Sequence, residues 1–245
     1  MELRVFESPE QLSEFAATII IYSIKTTDGL LLCSATGNST TLTYQNLVEN
    51  KRQFETDTLR ILKLDEWGGV PMTDPRSCEA YLQENLVKPL GIEEDNYIAF
   101  QSDSEVPADE CTRIQEYLEE QGPIDLCIVG LGLNGHVALN EPADVLQPHC
   151  HVQELSEKSL SHPMAAGMSV KPSYGLTLGM VDILNAKQLI LLISGANKAE
   201  ITKEFMTKKI TTSLPASLLW LHPNALCLCD RDAYSLINQE PDLVA

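Results

Sequence analysis

Asn134, His136, Asn140 and Glu141 fall close together, directly after Gly130, Gly132 and Gly135. A carboxylate near a histidine favours the imidazolium and holds its titration near ambient pH, which suits a proton shuttle. Taken alone, His136 also reads as a satisfied turn histidine. The company of Glu141 and two asparagines at the end of an apolar run favours chemistry. A second pair of acids, Asp65 and Glu66, follows the apolar run Leu59–Leu64. Adjacent residues of an extended segment diverge, so only one of the two can face a given pocket. Solvated turn acids are the alternative reading. Trp67 beside them could desolvate a carboxylate and raise its pKa, as a general base requires.

Two further segments have the makings of anion sites. Ala35, Thr36, Gly37, Asn38, Ser39 and Thr40 lie between an apolar run, Leu30–Ser34, and a helix expected to reach about Asn50. Unpaired N–H groups and the positive end of a helix dipole attract anions there, and hydroxyls add donors. The Gly-Lys-Ser/Thr of a P-loop is missing. A strand-to-helix turn with a Ser/Thr cap explains the segment equally well. In Ser194-Gly195-Ala196-Asn197-Lys198, the lysine falls in the first turn of a helix. A cation there opposes the dipole unless both face an anion. A solvated lysine is the alternative.

The elements that would carry these residues follow from apolar spacing. Ile124–Val129 is a short run with β-branched residues, a buried strand emptying into the glycines. The glycines spell G-x-G-x-x-G, but Pro142 truncates any helix after Gly135, and the unit lies mid-chain. Nicotinamide or flavin binding is therefore disfavoured. Strands are expected at Leu3–Phe6, Leu30–Ser34, Leu59–Leu64, Tyr97–Phe100, Gln188–Ile193 and Ala225–Leu228, with Tyr174–Leu178 extended. Ser8-Pro9-Glu10-Gln11 opens a helix, with Ser as N-cap and Pro at the first position. Asp74-Pro75-Arg76-Ser77 opens another, Cys111–Glu120 belongs to an acidic one, and Leu214-Pro215-Ala216-Ser217 starts a short one. The segment 143–173 is irregular and proline-bearing, the kind of long loop that serves as a lid or binding segment. The acidic tail reads as a surface helix. Strands alternating with helices predict an α/β fold, a mainly parallel sheet covered by helices on both faces, as one domain over residues 1–245.

Composition narrows the partners. With 35 acidic and 17 basic residues the chain has a net charge of −18, which argues against nucleic acid or an anionic membrane as partner. An anionic substrate would need a local positive site. The seven cysteines include no C-x-x-C pair; Cys33, Cys127, Cys227 and Cys229 sit in apolar runs and read as core residues, and a reducing cytoplasm is the natural compartment. His149, Cys150 and His151 alternate in direction on an extended segment, so no metal site is expected. No apolar run is long enough to span a membrane. Four strand ends converge, at 35–39, 65–66, 130–141 and 194–198. Together they predict a small phosphorylated substrate undergoing acid–base chemistry without a cofactor.

These segments carry a resemblance. Ser-Ala-Thr-Gly-Asn-Ser, Leu-Asp-Glu-Trp, Gly-Leu-Gly-Leu-Asn-Gly-His-Val-Ala-Leu-Asn-Glu-Pro, Ser-Gly-Ala-Asn-Lys-Ala and Leu-Pro-Ala-Ser-Leu-Leu-Trp-Leu-His resemble the glucosamine-6-phosphate deaminase/6-phosphogluconolactonase superfamily over nearly the whole chain. The Asn-Glu-Pro ending is similar to the deaminase branch, and within it Leu-Asp-Glu-Trp, Asn-Gly-His and Leu-Pro-Ala-Ser-Leu-Leu-Trp-Leu-His most resemble galactosamine-6-phosphate isomerase/deaminases. The resemblance implies a modified Rossmann-like α/β fold and an isomerase/deaminase acting on an amino-sugar 6-phosphate. It implies Asp65 as the base moving a proton from C2 to C1, His136 as the ring-opening acid/base and Glu141 as its paired carboxylate. Thr36, Gly37, Asn38, Ser39 and Lys198 match the phosphate site, with Ala35, Glu66 and Gly132 among the substrate-binding positions. Asn134 stands where the usual deaminase has Asp; it can orient His136 but not stabilise its cation. The family also brings an arginine to the phosphate, yet no arginine lies between positions 114 and 230 here, and His162 is the nearest match by position. Basic residues of an allosteric site in some deaminases fall near His151 and Gln153, so activation by that route is not expected. Family members assemble in several ways, and a homo-oligomer is compatible with the chain. Alternatives are a glucosamine-6-phosphate deaminase, a 6-phosphogluconolactonase, disfavoured by Asn-Glu-Pro, a catalytically silent sugar-phosphate sensor and, most remotely, a dinucleotide-binding enzyme.

Overall fold

Apolar residues of the central strands part to opposite faces of one sheet. In Gln188–Ile193, Leu189, Leu191 and Ile193 join one buried cluster while Ile190 and Leu192 join another. The same division separates Leu31 and Cys33 from Leu32, and Cys227 and Cys229 from Leu228. A strand buried on both faces needs a continuous apolar run, which is what parallel sheets require. The computed structural model describes residues 1–161 and 163–237.

Among the described residues the strands are β1 (Glu2–Phe6), β2 (Leu31–Ser34), β3 (Arg60–Lys63), β4 (Asp65–Gly68), β5 (Tyr97–Ile98), β6 (Leu126–Gly130), β7 (His151–Gln153), β8 (Tyr174–Thr177), β9 (Gln188–Ile193) and β10 (Ala225–Asp230). The helices are α1 (Pro9–Thr26), α2 (Asn38–Glu49), α3 (Cys78–Leu82), α4 (Lys88–Leu90), α5 (Pro107–Gln121), α6 (Glu157–Leu160), α7 (Pro163–Ala166), α8 (Met180–Leu184), α9 (Ala199–Phe205) and α10 (Arg231–Tyr234). Seven strands form a sheet in the order β1-β10-β9-β6-β2-β3-β5, and every pair in it is parallel. One face packs on Leu12, Ala16 and Ile20 of α1, Tyr44 and Leu47 of α2, and Leu82 of α3. The other packs on Ile114 of α5, Ile183 of α8 and Phe205 of α9. Helices on both faces of a parallel sheet agree with the strand-helix alternation of the sequence.

Chain direction opens a crevice at the middle of the sheet. β2 and β6 are neighbours, but the chain leaves β2 for β3 on one side, while β9 lies on the other side of β6. Loops diverging at the carboxyl ends of adjacent strands leave room for a ligand. The sequence was thus legible in this sheet, down to the Ser8 cap of α1, whose hydroxyl accepts the Gln11 N–H at 3.4 Å.

Local details refine these expectations. Asp65–Gly68 is not a turn but strand β4, antiparallel to β8, which also pairs with β7 in a small second sheet. Its residues alternate as a strand requires, and that decides which acid meets the cavity. In the expected helix opening Asp74–Ser77, Ser77 caps α3, its hydroxyl taking the Ala80 N–H at 3.0 Å. Asp74 instead ties down the distant 143–173 segment, accepting from both N and Oγ of Ser169 at 2.8 and 2.6 Å. That segment is less irregular than expected, since it contains β7, α6 and α7. The reading of the tail as a surface helix falls mostly outside the described residues; within them, Asp230 caps the short α10. No helix among the described residues is long and apolar enough to cross a membrane.

Candidate active site

The turn after β2 is shaped by Gly37, whose φ of +115° is a conformation L side chains rarely adopt. Gly37 is the N-cap of α2, and no side chain caps the helix. A Ser/Thr cap, one of the two sequence readings, is therefore not what the turn contains. The hydroxyls face the other way: Thr40, Thr41 and Tyr81 all donate to the Gly37 carbonyl, at 2.9, 3.2 and 3.1 Å. Thr40 N turns back to the Gly37 carbonyl at 3.2 Å, and no side chain takes the other first amides of this 12-residue helix, beside a cavity lined by Ala35, Thr36, Gly37, Asn38, Ser39 and Thr40. Uncapped N–H groups at the positive end of a helix dipole are an anion site in waiting.

β3 passes straight into β4, and its alternation sends Asp65 and Trp67 to the cavity and Glu66 into the interior. Burial, with the Glu66 charge next to it, raises the Asp65 carboxyl to about 7, against the opposing pull of Lys63. Glu66 is a correction to the expected site. It is fully buried, paired with Lys63 Nζ at 2.8 Å, and accepts the N–H groups of Trp67, Cys78 and Glu79 at 2.8, 2.9 and 2.8 Å. Two of those amides open α3, so Glu66 is a structural cap and does not line the cavity. Desolvation lowers the Lys63 pKa, but Glu66 and Glu79 outweigh it and hold the ammonium charged.

The glycine loop after β6 exists for the histidine it carries. A Cβ on Gly132 would stand 2.1 Å from the His136 ring, and one on Gly135, at φ +85°, 2.2 Å from Leu214. His136 Nδ1 lies 3.5 Å from Glu141 Oε2. Asn134 bridges the same pair: its Nδ2 donates to Glu141 Oε2 at 2.6 Å, and its Oδ1 accepts the His136 N–H at 3.2 Å. Ser156 donates to Glu141 Oε1 at 3.1 Å, and Ser159, which donates to the same oxygen, also lies 3.4 Å from His136 Nδ1. Burial pushes the Glu141 carboxyl up, but bonds from His136, Ser159 and Asn134 prevail and bring it to about 2. The carboxylate beside His136 is thus ionised at neutral pH. Asn140 is not in the cavity; its amide donates to Val137 O and Leu178 O, locking the turn.

At the end of β9, Asp230 accepts from Ser194 Oγ at 2.7 Å and Gly195 N at 2.9 Å. This presents Asn197 and Lys198 to the cavity. Lys198 lies in a 3₁₀ turn ahead of α9, its ammonium on the Leu131 carbonyl, and burial lowers its pKa to about 8. The four strand ends enclose about 460 Å³, within the usual range for a small-molecule site. Asp65, Asn134, His136, Gly132 and Lys198 all line it with the 35–39 turn; Glu141 stands behind His136. His162 lies outside the described residues.

Residues 7–227 match the family model described as Glucosamine-6-phosphate isomerases/6-phosphogluconolactonase. The chain belongs to this family. The Escherichia coli (strain K12) protein AgaI, which carries a provisional deaminase name, is 41% identical over 228 residues, 92% of this chain and 90% of its own. A glucosamine-6-phosphate deaminase of Thermoanaerobacter pseudethanolicus (strain ATCC 33223 / 39E) is 33% identical, covering 98% of this chain and 96% of its own. The structure of a monomeric glucosamine-6-phosphate deaminase superposes with a TM-score of 0.92 at 29% identity, covering 96% of this chain and 100% of that one. In this family member the sequence reading missed Lys158, Ser159 and Ser161, which line the cavity from the 143–173 segment. A capping signal was present there, since Ser156 accepts the Ser159 N–H at 3.1 Å. What the sequence lacked was the fold that brings this turn back onto Glu141.

Proposed function

We propose that the chain is a cofactor-independent isomerase/deaminase of an amino-sugar 6-phosphate, with galactosamine 6-phosphate favoured, yielding tagatose 6-phosphate and ammonia. The observation that carries this reading is Asp65: a carboxylate held near 7 by burial, on one wall of a cavity whose other walls offer an uncapped helix end, a lysine and a His–Glu pair. A base poised near neutral pH is matched to abstraction of a proton next to a carbonyl. The 6-phosphate sits at the first turn of α2 and Lys198. His136, backed by the ionised Glu141, delivers a proton to the ring oxygen as the sugar opens and takes one from the C1 hydroxyl. Asp65 removes the C2 proton and returns it to C1, while the C1 oxygen gains the proton that the C2 ammonium gives up, leaving an iminium at C2. Water adds to that carbon and ammonia leaves, so one water is consumed for each ammonia released.

Membership of the family and the likeness to AgaI support the reading. The glucosamine-6-phosphate deaminases among the relatives make the gluco sugar the competing substrate. Ammonia release from galactosamine 6-phosphate and glucosamine 6-phosphate, measured side by side, separates them. A higher kcat/KM on the galacto sugar is expected; a higher value on the gluco sugar reverses the preference, and release from neither overturns the proposal.

A further inference from the structure

Two lysines line the cavity. Lys198 rests on the carbonyl of Leu131. Lys158, on α6, donates to the carbonyl of Leu133 at 3.1 Å. Both ammonium groups therefore hang from one loop, two residues apart along the chain. Neither belongs to an ion pair among the described residues. A neutral carbonyl is a weaker acceptor for an ammonium than an ionised oxygen, and a phosphate brings several. In a chain of net charge −18, two lysines unpaired with carboxylates share a cavity in which Asp65 is the one acidic residue among the described lining, a local excess of positive charge. The turn that carries Lys158 is also fixed in place, because Ser156 and Ser159 both donate to Glu141.

We infer that Lys158 is a phosphate-binding residue, closing the anion cradle formed by the first turn of α2 and Lys198. Its side chain is exposed at the rim, so it can leave Leu133 for an incoming phosphate without disturbing the core. The inference rests on the sugar-phosphate reading above and adds to it the group that selects a phosphorylated over a free sugar. It also gives this chain a cation for the phosphate in a region without arginine.

The test uses inorganic phosphate as the probe and thermal melting of the full chain as the readout. A ligand that binds only the folded state raises the melting temperature in proportion to its occupancy. Phosphate is expected to stabilise the wild type. Lys158→Ala should need at least about 10-fold more phosphate for the same rise, the scale of one charge-assisted hydrogen bond. Lys158→Arg should recover most of the difference. Lys171→Ala, an exposed lysine of the same segment outside the cavity lining, should match the wild type. The inference is overturned if Lys158→Ala follows the wild-type curve, if Lys171→Ala weakens phosphate as much, or if phosphate does not stabilise the wild type. A phosphate series that behaves as expected, with no ammonia from either amino sugar, would remove the deamination reading and leave Lys158 as a phosphate ligand.

Discussion

Asp65 and Glu66 are neighbours in the chain with opposite surroundings, because β4 sends one to the cavity and the other to the interior. Their charges stay coupled, since Glu66 helps to raise Asp65. Glu66→Gln should therefore move the acid limb of the pH–rate profile to lower pH. It should also destabilise the fold by about 3–5 kcal/mol, because Lys63 loses a buried partner; an unmoved limb would refute the coupling. In the wild type, kcat/KM should rise through about pH 7 as Asp65 ionises and fall through about pH 8 as Lys198 loses its proton. A profile flat from pH 6 to 9 would contradict both assignments. The raised pKa is also a statement about stability. A carboxyl whose folded pKa exceeds its unfolded value favours the folded state while protonated, and that advantage is lost as pH rises through the folded pKa. Asp65→Asn should thus raise the melting temperature by a few degrees at pH 8 and by less at pH 5, while turnover is lost.

The elements that place these residues differ in how openly the sequence announces them. The parallel strands were legible because a sheet buried on both faces demands unbroken apolar runs, as in Gln188–Ile193. β4 and β7 were less so: at four and three residues and without an apolar run, only tertiary pairing makes them strands, whereas β8 follows the extended run expected at Tyr174–Leu178. The same limit hid α6, whose four residues carry Lys158 and Ser159. Asp65, His136 and Lys198 were legible as residues facing one cavity because each follows a readable strand, whereas Glu66 was misplaced because its direction depends on β4. At the turn into α2, Gly37 has open space around a would-be Cβ but a φ of +115°. Gly37→Ala should therefore cost about 1–3 kcal/mol through backbone strain alone, and KM for a phosphorylated substrate should rise as the helix end shifts. Unchanged stability and KM would show that the turn has slack.

At the scale of the whole molecule, a net charge of −18 repels the anionic substrate until it reaches the lysine-lined cavity. Salt screens the long-range part of that field before the short-range part. kcat/KM should accordingly rise as ionic strength goes from about 0.01 to 0.15 M; a steep fall would mean that local attraction by the lysines governs capture. The topology serves the site by letting the loops after β2 and β6 diverge, and the loops after β3 and β9 complete the enclosure. On the proposed function, this enclosure deaminates an amino-sugar 6-phosphate with Asp65 as the base. The most direct test is ammonia release from galactosamine 6-phosphate at pH 8 by the purified wild type and by Asp65→Asn, with both confirmed folded by their melting curves. Steady release is expected from the wild type and none above background from the variant. Release by the folded variant at the wild-type rate would contradict Asp65 as the base, and silence from the wild type with either amino sugar would contradict the deamination itself.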